Sequence, residues 1–312
     1  MNKFRIFSTA AVTAALPMAL LPATALAQHF SPWGLATSVV EVNSPLADGC
    51  PIEAPDGLSL YIASTRTGTF GGNDIWVADR TSKDEAFGEP QNLGSPVNTE
   101  FADFCPTPLH GNYLMFVSER PGLETCNARP GFGDIYIIRQ SPAHGWGEPQ
   151  HLGCVESGTG PSSAGAEFSP SVVETQEGTF LYFSSTVSGN HDIYVSQMAA
   201  DGNFGPPSPV HELNTEFDDR MPNVTKDGRE VVFSSTRPVD ANGAASFGSF
   251  DVFSSTRSST TGQWSAPVNL GANVNTAGGE TRSTISWDRT RLYFGRDGEI
   301  YSATRQKTTG AR

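Results

Sequence analysis

Five times along the chain an apolar strand of the Leu-Tyr-Phe type is followed by a turn and an acidic residue that opens a second apolar strand. These openings are Asp74-Ile75-Trp76, Asp134-Ile135-Tyr136, Asp192-Ile193-Tyr194, Asp251-Val252-Phe253 and Glu299-Ile300-Tyr301. Their spacings of 60, 58, 59 and 48 residues define a repeat. One unit has too few strands to bury its own faces, so the units must pack against one another around an axis. The pattern predicts an all-β protein, a five-bladed β-propeller of four-stranded blades. A full unit reads acidic-x-x-Pro, an inner strand, a turn, the Leu-Tyr-Phe strand, a loop, the Asp-Ile-Tyr strand, a longer turn, then aromatic-x-x-Pro and an outer strand ending near Asn-Thr. The fourth unit carries all of it: Asp219 to Pro222, Val231-Val232-Phe233, Asp251-Val252-Phe253, Trp264 to Pro267, and Asn275-Thr276.

The fifth unit has Glu280, a strand around Ile285, Leu292-Tyr293-Phe294 and Ile300-Tyr301, but no outer strand follows. The missing piece is readable at the other end, where Trp33-Gly34, residues 39–42 and Asn43-Ser44 repeat the outer-strand pattern. This N-terminal strand is expected to pair with the strand holding Ile300-Tyr301 and close the ring, which also protects two sheet edges.

Composition fits this picture. The chain has 312 residues, with 32 Gly, 22 Pro and 17% charged residues, a profile of short strands between turns. Residues 1–27 read as a signal peptide: Lys3 and Arg5 precede an apolar run over 6–21, and Ala25-Leu26-Ala27 supplies the small-x-small cleavage pattern. Thr13 and Pro17 interrupt the run, which argues against a membrane anchor. The propeller is then expected over 28–305, followed by a polar tail at 306–312, in the periplasm or outside the cell. The formal net charge is −13, and about −15 without Lys3 and Arg5. That balance argues against nucleic acid or anionic lipid as partners. A monomer without membrane insertion, meeting a protein, peptide or glycan, is the expectation.

The string from Asn214-Thr215 through Asp219-x-x-Pro222, Asp227-Gly228, Val232-Phe233-Ser234-Ser235-Thr236-Arg237 and Asp251 to Trp264-Ser265-Ala266-Pro267-Val268-Asn269-Leu270-Gly271 resembles the TolB-like propeller repeat. The resemblance implies an exported propeller, a fold and a location more than an activity.

Strands alternate in direction within a blade, so three repeated groups are expected on one face. They are the acids before each inner strand (Asp48, Asp103, Glu167, Asp219, Glu280), the arginines ending the second strand (Arg66, Arg120, Arg237 and Arg296, with Val187 breaking the pattern), and the acid opening each third strand. Together they form a candidate ligand-binding mouth that could hold a cation such as calcium, with no other cofactor expected. A carboxylate present in every blade also answers what every blade needs, a tie between a loop and its neighbours. Departures from the repeat are therefore the sharper candidates: Arg220 and Arg282 enter an otherwise acidic and neutral rim, and Glu53 is an acid off the repeat phase. Uneven loops at 121–133 and 238–250 would add a cleft to this face, leaving short turns such as Asp56-Gly57 and Asp227-Gly228 to the other.

Four cysteines, Cys50, Cys105, Cys126 and Cys154, in an exported chain point to disulfides. Of three pairings, Cys50 with Cys105 and Cys126 with Cys154 is preferred; a thiolate metal site lacks close ligand spacing. No Gly-x-Ser-x-Gly elbow is present, and His211-Glu212 lacks the second His of a zinc-protease motif. The expectation is thus a non-catalytic binding or scaffolding module. The alternative is a glycoside hydrolase of the five-bladed propeller type, which requires two carboxylates in unequal environments.

Overall fold

The computed structural model describes residues 29–121, 126 and 132–308. The expected signal peptide and nearly all of the 121–133 loop lie outside these residues. Five antiparallel sheets follow the repeat. Blade one is Asp48–Glu53, Ser59–Ser64, Asp74–Asp79 and Gln91–Asn92. Blade two is Asp103–Leu109, Tyr113–Ser118 and Asp134–Ser141, with Gly145–Trp146 and Gln150–His151 both on its outer edge. Blade three is Glu167–Thr175, Gly178–Ser185, Asp192–Gln197 and Ser208–Pro209, and blade four is Asp219–Val224, Glu230–Ser235, Asp251–Thr256 and Val268–Asn269.

Blade five is Glu280–Ile285, Arg291–Arg296 and Glu299–Thr304, completed by Thr37–Ser38 from the N-terminal side. Closure falls where the repeat pattern predicts, two residues earlier than expected: Thr37 faces Ser302 and Ser38 faces Tyr301. Val42, expected in the strand, lies beyond it and is fully buried against Leu60, Ile62 and Ile300. His29–Phe30 pairs with Lys307–Thr308, so the expected tail begins in a short ribbon.

The outer strands are only two residues long, and side chains extend them. Asn98 donates to Ile75 O and accepts from Ile75 N, at 2.9 and 2.8 Å, imitating the pairing of one further strand residue. Asn214 does this to Ile193, Asn275 to Val252 and Asn43 to Ile300. The repeated Asn of the Asn-Thr pattern is thus a strand cap made by an amide.

The core lies between the blades. Val173, Tyr182 and Ile193 of blade three pack on Val231, Phe233 and Trp264 of blade four, and Val232 and Val252 of blade four pack on Leu292 and Phe294 of blade five. Blades five and one, one and two, and two and three are joined in the same way. Each sheet buries one face on each neighbour, which is why a single blade cannot stand alone.

Every inner strand carries a bulge two residues after its acid. The bulged residues Cys50, Cys105, Ser169, Met221 and Arg282 have φ of 48°, 47°, 56°, 58° and 49°. None is glycine, so a left-handed conformation is imposed five times against local preference.

Candidate functional site

The five ring acids are buried, and four of them belong to separate clamps rather than a shared mouth. Asp103 accepts from Thr99 N at 2.7 Å, Thr99 Oγ1 at 2.8 Å and Arg120 Nη2 at 2.7 Å. Asp219 accepts from Thr215 N, Thr215 Oγ1 and Arg237, Asp48 from Ser44 N and Arg66, and Glu280 from Thr276 and Arg296. Each arginine also donates to a carbonyl of the incoming connection, as Arg66 does to Val42 O at 2.6 Å and Arg120 to Val97 O at 2.6 Å. Arg237 and Arg296 bond Leu213 O and Val274 O likewise and lie over the rings of their own blades. Acid and arginine together tie each of these four blades to the chain arriving from the previous one.

Blade three differs. Val187 replaces the arginine, and Glu167 accepts only from Ser163 N, Ser163 Oγ and Ser185 Oγ, at 3.1, 2.5 and 2.8 Å. Its Oε2 has no partner. Burial without a cation, with Asp134 nearby, pushes its carboxyl up to about 8.

Of the two exceptional cations, one is buried and the other half-buried. Arg282 is 0% exposed, because its bulge turns it inward, toward carbonyls of blades two and three. Arg220 lies 3.7 Å over the Phe250 ring. Glu53 is structural: it accepts from Arg80 Nη2 at 2.8 Å and Tyr293 OH at 3.1 Å, and burial raises its carboxyl affinity for protons while Arg80 pulls it back.

Both expected disulfides are present, Cys50–Cys105 joining blades one and two, and Cys126–Cys154 beside the outer edge of blade two. A cleft of about 640 Å³ opens next to the second. Cys126, Cys154 and His151 offer ligand atoms within 4.8 Å of one another, but the two sulfurs are bonded and supply no thiolates.

The connected clefts lie on the opposite face, among the turns joining inner and second strands. An axial pocket of about 190 Å³ is lined by Leu109, His110, Val172, Val173, Glu174, Lys226 and Trp287, from four blades. It shares Leu109 and His110 with a cleft of about 320 Å³ that runs to Tyr61, Tyr113 and Trp146. It shares Glu174 and Lys226 with a third, of about 620 Å³, that runs to Glu177, Arg229 and Thr260. The three form one track across the face through the axis. Trp287 stands in it with the His110 ring 4.6 Å away edge-on and Lys226 Nζ 5.4 Å from its centroid.

Two carboxyls on this track have opposite environments. Glu174 is raised above its ordinary value by burial, partly offset by His110. Glu177 is lowered, chiefly because Thr260 Oγ1 donates to it at 2.6 Å, with help from Thr175. Both sit on the blade-three hairpin, whose strands run nine and eight residues where blade one uses six and six. The longer strands carry these acids beyond the level of the Asp-Gly turns. Sequence reasoning passed over this site because it treated the face as short turns. The available signals were Thr175-Gln176-Glu177-Gly178 in place of a tight Asp-Gly turn, and Trp287 where Pro55 and Lys226 precede their turn Asp.

The described architecture is that of a five-bladed propeller, and glycoside hydrolases are among the solved structures of similar shape. The chain is similar to an α-L-arabinofuranosidase from Lactobacillus brevis, with 13% identity and TM-score 0.55 over 88% of this chain and 94% of that one. It is similar to the catalytic domain of a GH62 α-L-arabinofuranosidase from Coprinopsis cinerea, with 13% identity and TM-score 0.55 over 89% and 98%. An endo-arabinase from Bacteroides thetaiotaomicron matches with 15% identity and TM-score 0.53 over 90% and 100%. The sequence matches no protein-family model and no curated protein. These findings correct two expectations: the TolB-like kinship finds no family match, and the solved structures that share this fold are glycoside hydrolases where a non-catalytic binding module was expected.

Proposed function

We propose that this chain is an exported glycoside hydrolase that acts on a polysaccharide lying in the track across the turn face. The observation that carries this reading is the pair Glu174 and Glu177, two acids lining one cleft whose proton affinities are displaced in opposite directions. Glycosidic cleavage needs a carboxylic acid to protonate the leaving oxygen and a carboxylate to activate water or stabilise the oxocarbenium-like transition state. Glu174 suits the first role, because partial desolvation favours its protonated form while the side chain still reaches solvent in the cleft. Glu177 suits the second. Trp287, Tyr113 and Trp146 present flat apolar rings along the track, and polar groups beside them can meet hydroxyls.

The test is release of reducing sugar from arabinan, xylan and arabinoxylan. Glu174→Gln is expected to lower kcat by about 10²-fold or more, with Glu177→Gln similarly impaired and both melting as the parent does. The alkaline limb of the parent profile should lie above the ordinary Glu range. Absence of cleavage of any of the three polymers, or parental rates in both variants, would sink the reading.

A further inference from the structure

Blade two leaves bare a surface that the other blades cover. Six residues after the acid opening each third strand stand Arg80, Gln140, Met198, Arg257 and Arg305. Their backbone N–H groups make the same bond to the neighbouring turn, to Leu58 O, Asn112 O, Thr179 O, Arg229 O and Thr290 O, so the five positions are equivalent. Arg80, Arg257 and Arg305 donate Nε to the turn carbonyls of Gly57, Gly228 and Arg289. Held in this way, they lie 4.3, 4.2 and 4.2 Å over the outer-edge aromatic of the same blade, Phe87, Trp264 and Trp33. In blade three Met198 packs with Phe204 instead. All four of these rings are buried.

The matching aromatic of blade two is Trp146, since Gly147 N bonds Arg139 O as Gly88 N bonds Asp79 O. Its lid position holds the shorter, neutral Gln140, and the adjacent Arg139 lies over Tyr113, 5.3 Å away. Trp146 is accordingly half-buried and lines the cleft of about 320 Å³ together with Tyr61, Tyr113, Asn112 and Gln140. The indole N–H, two phenol hydroxyls and two side-chain amides of these residues make no hydrogen bond with another described residue. A bare aromatic plane ringed by neutral donors and acceptors is complementary to a sugar ring. One face of a pyranose chair lays C–H groups flat on an indole, while its equatorial hydroxyls reach sideways to amides and phenols. A puckered furanose has no comparable flat face. We propose that this cleft is a subsite for a neutral pyranose residue, so that the track takes a polymer with a pyranose backbone, as in xylan, rather than an arabinan. As a substrate site this rests on the hydrolase reading; the binding of the sugar does not.

Binding of xylohexaose and of linear arabinohexaose to the full mature chain is measured by calorimetry and indole fluorescence, in Glu174→Gln if the parent cleaves them. Xylohexaose is expected to bind about tenfold or more tightly than arabinohexaose, and Trp146→Ala to weaken it by about tenfold or more. Gln140→Arg is the second variant. It supplies the lid of blades one, four and five, with Gly111 O in the place of Gly57 O to accept from Nε, and should weaken xylohexaose equally while melting as the parent does. Xylohexaose binding with no cleavage of any polymer would sink the hydrolase reading and keep the pyranose subsite. Equal affinity for the two oligosaccharides, no xylohexaose binding by the parent, or parental affinity in folded Trp146→Ala or Gln140→Arg would each overturn the proposal, and cleavage of arabinan beside any of these would leave the hydrolase reading standing.

Discussion

Glu167 shows how one missing partner changes a residue's chemistry. Four ring acids are paired with an arginine; Glu167, facing Val187 and two serines, is pushed from the ordinary 4.5 up to about 8. Between those values the unfolded chain releases a proton that the folded chain keeps. This group's contribution to stability is therefore full below about pH 4.5 and lost as the pH rises through 8. The stability of the parent in urea unfolding, relative to Glu167→Gln, is expected to fall across that window, by on the order of 5 kcal/mol if the whole shift is expressed. A flat difference between the two proteins would show that the carboxyl ionises as readily inside as outside. The break at Val187 was legible in the sequence, because repeats expose their own exceptions. Its consequence was not, since it depends on how completely the Ser162–Ser163 segment seals the site. Arg282 was legible in the same half-way sense. Its position as an exception could be read, but its inward direction follows from a left-handed bulge occupied by Cys, Cys, Ser, Met and Arg, which have no common backbone signature.

At the scale of elements, the amide caps decide where outer strands end. Asn43 makes both bonds to Ile300, at 2.7 and 3.0 Å, and Val42 beside it is fully buried. Asn43→Ala would leave the Ile300 N–H without a partner beside the closing strand, while Ile300 O keeps its bond from Val39 N at 2.9 Å, and a loss of about 1–3 kcal/mol is expected in urea unfolding. A change below about 0.5 kcal/mol would mean water replaces the amide without penalty. The Asn-Thr pattern made these ends visible in sequence, while the register missed by two residues because Val42 is apolar for packing and not for strand pairing. The hairpin of blade three was missed for a different reason: lengthening two paired strands preserves their alternation, so periodicity alone does not report how far the turn projects.

For the whole molecule, five inter-blade cores of similar build distribute stability around the ring, and the Cys50–Cys105 bridge ties two blades at the axis across 55 residues. Reduction of the mature protein is expected to cost about 2–4 kcal/mol of stability, read as a lower melting temperature in phosphine, with the Cys50→Ala/Cys105→Ala protein insensitive at that step. Equal melting before and after reduction would show that the neighbouring cores already hold blades one and two together. Fold was readable because repetition states the same constraint five times; the track was not, because it is made of what differs between turns. Closure also sets an order of events. Thr37 and Ser38 emerge early in synthesis and their partners, Ser302 and Tyr301, near its end. A chain halted anywhere before Glu299 keeps a bare sheet edge and an unfilled apolar seam, the kind of surface that quality-control proteases recognise. The ring thereby acts as its own proofreader, reaching a protected state only when both ends of the propeller have been made.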